Sequence, residues 1–122
     1  MLTTSVLRIP AALALLFLLG TNAAEAADPT LLAEKGGFLL GNAYRCGITA
    51  ERVKQESQVV HSFIMANAYS SKQAAAASGR FADSFVAGAY PVEGLNTPVP
   101  ACDIAITRFR SLERYHQQAG LN

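Results

Sequence analysis

The sequence predicts an all-α fold, a small four-helix bundle or orthogonal helical array with one disulfide. Three observations predict it. Apolar residues recur at helical spacing through four segments, and each segment is opened or closed by a capping signal. Period-2 alternation of a half-buried strand is absent, apart from a short piece around residues 89–95. Cys46 and Cys102 are the only cysteines in 122 residues, a length sufficient for one domain.

The N-terminus reads as an export signal rather than as fold. Arg8 is the only charged side chain before a continuously apolar run from Ile9 to Leu19, which Gly20, Thr21 and Asn22 break. Ala24-Glu25-Ala26 then supplies the small residues a signal peptidase requires. As a helix the run would reach about 16 Å against roughly 30 Å of bilayer hydrocarbon, too short for an anchor. Residues 1–26 are therefore read as a cleavable signal peptide and 27–122 as a single helical domain. Arg8 and Glu25 belong to the signal, so nine of the ten Lys/Arg and eight of the nine Asp/Glu remain, a charge near +1.

The first helix opens at Asp28-Pro29, an N-cap acceptor followed by proline where its missing N–H costs nothing. Leu32, Leu39, Ala43 and Cys46 share one side, with Leu31 and Phe38 adjoining. Gly36, Gly37 and Gly41 imply either close packing or fraying, and the Gly36-Gly37 pair looks like local flexibility. Gly47 is placed to end the helix in the left-handed conformation. The second helix starts at Thr49, with Ile48 and Val53 as a hydrophobic staple and Val53, Val60, Ile64 and Ala68 as its stripe, Phe63 beside it. Ser70 to Gln73 matches a capping box for the third helix, whose greasy face is Phe81 and Phe85 and whose weak point is Gly79. Gly88 to Pro100 reads as a loop. The last helix begins near residues 97–100 and runs to about Gln118. Leu39, Val60, Ile64, Phe81, Phe85, Ile106 and Phe109 are the expected core. The cysteines, each expected on the inward face of its helix, join the end of the first helix to the start of the last, as oxidising compartments favour.

Chemistry-bearing motifs are sparse. Glu113-x-x-His116 puts a carboxylate and an imidazole on one helix face, but dimetal bundles need a second copy. His61 lies one position off the apolar stripe and reads as a boundary residue. No serine occupies a G-x-S-x-G elbow, and a disulfide removes both candidate thiol nucleophiles. Arg108, Arg110 and Arg114 share their helix with Asp103 and Glu113, a solvated face rather than a phosphate-binding stripe. Tyr44, Tyr69, Tyr90 and Tyr115 all fall near helix ends or loops, as edge packing or as a binding rim. The expectation is a protein that is not an enzyme, with no catalytic residue, cofactor or metal, that binds no nucleic acid and has no membrane span after signal cleavage.

An exported helical domain of this size, with one long-range disulfide joining an early helix to a late one, resembles acid-resistance periplasmic chaperones. The resemblance rests on Cys46, Cys102 and the size, and it implies a holdase that loosens at low pH. The primary expectation is a small exported binding or accessory protein of the cell envelope, periplasmic or secreted, whose partner is another envelope protein. A periplasmic stress- or acid-responsive holdase is the alternative.

Overall fold

The computed structural model describes residues 28–92 and 98–118. The expected signal peptide and its cleavage point lie outside the described residues. Four helices account for most of the rest: α1 (Pro29–Arg45), α2 (Ala50–Asn67), α3 (Ser71–Ala89) and α4 (Cys102–Gln118). The all-α expectation holds, and among the described residues there is no strand. No described helix is long and apolar enough to cross a membrane.

The caps explain where the helices begin. Asp28 accepts from Thr30 N at 3.0 Å, and Thr49 from Arg52 N at 3.3 Å. Hydrogen bonding to Thr30 holds the Asp28 carboxyl below its ordinary pKa. Ser70 accepts from Gln73 N at 3.0 Å, while Gln73 Oε1 reaches back to Tyr69 N, one residue before the cap. Gly47 has φ +99° and reverses the chain between α1 and α2. Ile48 and Val53, the expected staple pair, are both buried in the core cluster.

Helix α1 is the hub and touches the other three, most extensively α3. Gly36, midway along α1, lies against Val60, just past the middle of α2, and the short turn 46–49 folds one helix back on the other, so these two run antiparallel. Gly37 approaches Phe81 while Gly41 approaches Phe85, so α1 and α3 run parallel. Pairing of Arg52 with Glu113 and of Glu56 with His116 sets α4 parallel to α2. Consecutive helices thus alternate in direction.

The three α1 glycines are packed, not flexible. A Cβ built on Gly41 would stand 2.2 Å from the Phe85 carbonyl oxygen and 2.9 Å from the Ala89 nitrogen. One on Gly37 would meet the Phe81 oxygen at 2.4 Å. From the other side, Gly88 faces the Phe38 oxygen and Asn42 nitrogen. This corrects two readings: Gly36-Gly37 is not a flexible point, and Gly88 lies inside α3 rather than in the following loop. Glycine's helix penalty is offset because only a missing Cβ lets two backbones approach this closely.

The core joins Leu32, Leu39, Leu40, Ala43, Val60, Ile64, Phe109 and Leu112. Of the expected core, Leu39, Val60, Ile64 and Phe109 are buried, while Phe81, Phe85 and Ile106 are half-buried on its edge. The close α1–α3 approach leaves no room for phenylalanine between the backbones, so both rings lie beside the seam. Helix α4 starts at Cys102, slightly later than the turn signals suggest, and is described to Gln118.

Candidate functional site

The C-termini of α1 and α3 and the N-terminus of α4 meet at one pole, beside the start of α2. Cys46 and Cys102 form the expected disulfide there, with Cα atoms 5.3 Å apart. The cysteines do not both face inward. Cys46 is half-buried and Cys102 exposed, because they cap helix ends at the rim rather than occupying helix interiors.

Arg45 organises this pole, a role its sequence neighbourhood does not signal. Its Nε donates to the Gly88 carbonyl at 3.3 Å, and its Nη2 to the Pro100 carbonyl at 2.9 Å and to Asn42 Oδ1 at 3.2 Å. Its Nη1 lies 3.5 Å from Cys102 Sγ. One guanidinium thereby satisfies carbonyls from α3 and from the approach to α4, and it also serves the buried Asn42.

Beside it lies an exposed aromatic face. The Tyr44 ring is 6.0 Å from Phe85 and 6.4 Å from Tyr90, the latter edge-on. Hydrogen bonding with Tyr44 raises the Tyr90 hydroxyl above its ordinary pKa. Val86, in the last turn of α3, and Tyr90, which caps that helix, lie on one side at i, i+4. They remain 55% and 61% exposed, and Val92 just beyond is 65% exposed. Of the four tyrosines considered as a binding rim, the fold brings together only Tyr44 and Tyr90. Tyr69 stands apart at the α2–α3 turn, 84% exposed, and Tyr115 packs against the core.

A second polar feature joins α2 to α4. Arg52 chelates Glu113, with Nε to Oε2 at 2.9 Å, and its guanidinium also covers the Phe109 ring at 5.4 Å. One turn along, Glu56 Oε2 and His116 Nδ1 are 2.9 Å apart, with side chains only 4% and 13% exposed. Burial drives the Glu56 carboxyl above its ordinary pKa, against the pull of His116, and the nearby Glu113 charge adds to the rise. Glu56 Oε1 and His116 Nε2 are buried without a hydrogen-bond partner. His116 also borders a surface groove of about 690 Å³ with Gln55, Gln58, Val59, Ser62, Phe63 and Ala66.

The Glu113-x-x-His116 spacing is therefore used for two interhelical contacts, Glu113 with Arg52 and His116 with Glu56, each side chain taking its own partner from α2. Among the described residues, no group of three His, Cys, Asp or Glu could hold a metal. His61 is exposed on α2, and Arg108, Arg110 and Arg114 are exposed along α4. No family model, curated protein or solved structure matches this chain.

Proposed function

We propose that the protein is a small, exported, non-enzymatic binding protein of the cell envelope that engages another envelope protein through Tyr44, Val86, Tyr90 and Val92. The observation that carries this reading is the exposed tyrosine pair flanked by valines at this pole. Tyrosine offers a large, rigid, amphipathic contact area at low entropic cost and is enriched where interfaces concentrate their energy. Contiguous apolar exposure of this kind is uncommon on soluble monomers outside binding surfaces. The Cys46–Cys102 disulfide fits an oxidising compartment outside the cytoplasm.

A photo-reactive residue placed at Tyr90 in the native host tests the proposal, with the same residue at isolated Tyr69 as the control. A discrete adduct with one envelope protein is expected from position 90 only, and Val86→Asp should abolish it. Equal labelling from both positions would overturn the assignment of this face.

One observation favours the holdase alternative. Polar contacts strap α4 to α2: Arg52 chelates Glu113, and Glu56 faces His116. A seam held by polar contacts rather than by apolar packing is one that a holdase could open to expose apolar surface to unfolded clients. Light scattering by an aggregating client at about pH 3 tests this reading, with carboxylates protonated. Suppression of scattering there but not at neutral pH would support it, and equal scattering with and without the protein would remove it.

A further inference from the structure

We infer that the Cys46–Cys102 disulfide is a thiol–disulfide exchange site, opened in a fixed direction by an external thiol of glutathione or dithiol class. The two sulfurs sit in opposite electrostatic settings. Cys46 caps the C-terminus of α1, where its N–H already bonds the carbonyls of Asn42 and Ala43 and the helix end is partially negative. Cys102 is the first residue of α4, at the partially positive end of that helix, and Arg45 Nη1 lies 3.5 Å from its sulfur. A thiolate is stabilised by a nearby cation and by a helix N-terminus, so Cys102 is much the better leaving sulfur. The nearest acid in sequence, Asp103, follows in the first turn of α4 and opposes this only in part. Cys46, the sulfur attacked, is half-buried and Cys102 exposed, so the bond lies at the rim, where a small thiol can reach it. The direction of opening is set by the charge around the leaving sulfur rather than by exposure.

The reaction balances without a further oxidant. An incoming thiolate attacks Cys46 Sγ, a new S–S bond forms to Cys46, and the Cys46–Cys102 bond breaks with its electron pair leaving on Cys102 as thiolate. A second thiol, from the same dithiol or another molecule, then resolves the mixed disulfide. Cys46 and Cys102 are reduced together by two electrons as the external pair is oxidised. Arg45 holds the Pro100 carbonyl, so Cys102 stays close to Cys46 after opening and the reverse reaction is favoured by proximity.

Limiting glutathione added to the oxidised full-length protein at neutral pH, followed by alkylation and peptide mass spectrometry, maps the attack. Glutathione is expected on Cys46 and the alkyl group on Cys102. Arg45→Gln should slow opening, because a leaving thiol that has lost its neighbouring cation leaves less readily, and Arg45→Lys should keep the direction. Glutathione found mainly on Cys102, or divided equally, would overturn the proposal. So would an Arg45→Gln protein that opens at the wild-type rate. The direction of attack is read on the unaltered protein, so it stands whether or not Arg45→Gln folds.

Discussion

Along the α1–α3 seam, Gly37, Gly41 and Gly88 set backbone against backbone, whereas between α2 and α4 four ionisable side chains span the gap. The first seam's polar pair, Arg80 with Glu34 at 3.8 Å, lies on its solvent edge and contributes little. The second seam carries a largely buried carboxylate and imidazole with two unpartnered atoms. Backbone contact is insensitive to pH and intolerant of added volume. Ion pairing has the opposite character, tolerant of shape and sensitive to protons. One small domain thus combines a rigid half with a half whose hold depends on charge, and both adjoin the disulfide pole through α1 and α4.

The largest effect is expected from Gly41→Ala, whose methyl would press on the Phe85 carbonyl oxygen and Ala89 nitrogen. Backbone cannot yield as a side chain can, so a loss of about 3 kcal/mol or more is expected in urea unfolding. A loss below about 1 kcal/mol, within the range of ordinary surface substitutions, would show that the helices are not held this close. Phe81→Ala and Phe85→Ala should each cost less than the 3–5 kcal/mol of a fully buried ring, about 1–3 kcal/mol, since both lie half-buried beside the seam.

Glu56→Gln probes the other seam through pH. Folding raises the Glu56 pKa above its ordinary value of 4.5, so folding favours the protonated carboxyl. Its contribution to stability is therefore fully present below that value and is lost as pH rises through the higher folded value. Glu56→Gln cannot ionise and escapes that loss, so its melting temperature should gain on the wild type as pH is raised from about 4 towards neutrality. A difference that stays constant across the series would mean that Glu56 is not held in a desolvating site. Gly79→Ala should give the smallest change, and a favourable one. Nothing lies within 4 Å of its added methyl, so about 0.5–1 kcal/mol of helix propensity is gained.

Much of the fold was legible because it is written in local chemistry. Asp28, Thr49 and Ser70 are placed by their caps, Gly47 by its positive φ, and the cysteine pair by being the only one available. What the sequence concealed is long-range. Gly36 and Gly37 read as weakness, because helix propensity prices a glycine without knowing that another backbone will occupy the space. Gly88 reads as loop for the same reason. Arg45 gives no sign of its targets, since three of its acceptors are main-chain carbonyls or a sulfur distant in sequence. The Glu113–His116 spacing announced one shared face, but it took the neighbouring helix to show that Arg52 and Glu56 divide that face between them.

Site-resolved hydrogen exchange at neutral pH and again at about pH 4, expressed as protection factors, tests most directly whether the two seams are separately held. Protection from Gly37 to Ala43 in α1 and from Phe81 to Gly88 in α3 should stay nearly unchanged. Protection around Glu56 in α2 and around His116, which faces it from α4, should rise at the lower pH as the Glu56 carboxyl takes up its proton. Equal factors of change throughout all four helices would contradict the account, showing one cooperative unit in which the glycine seam has no stability of its own.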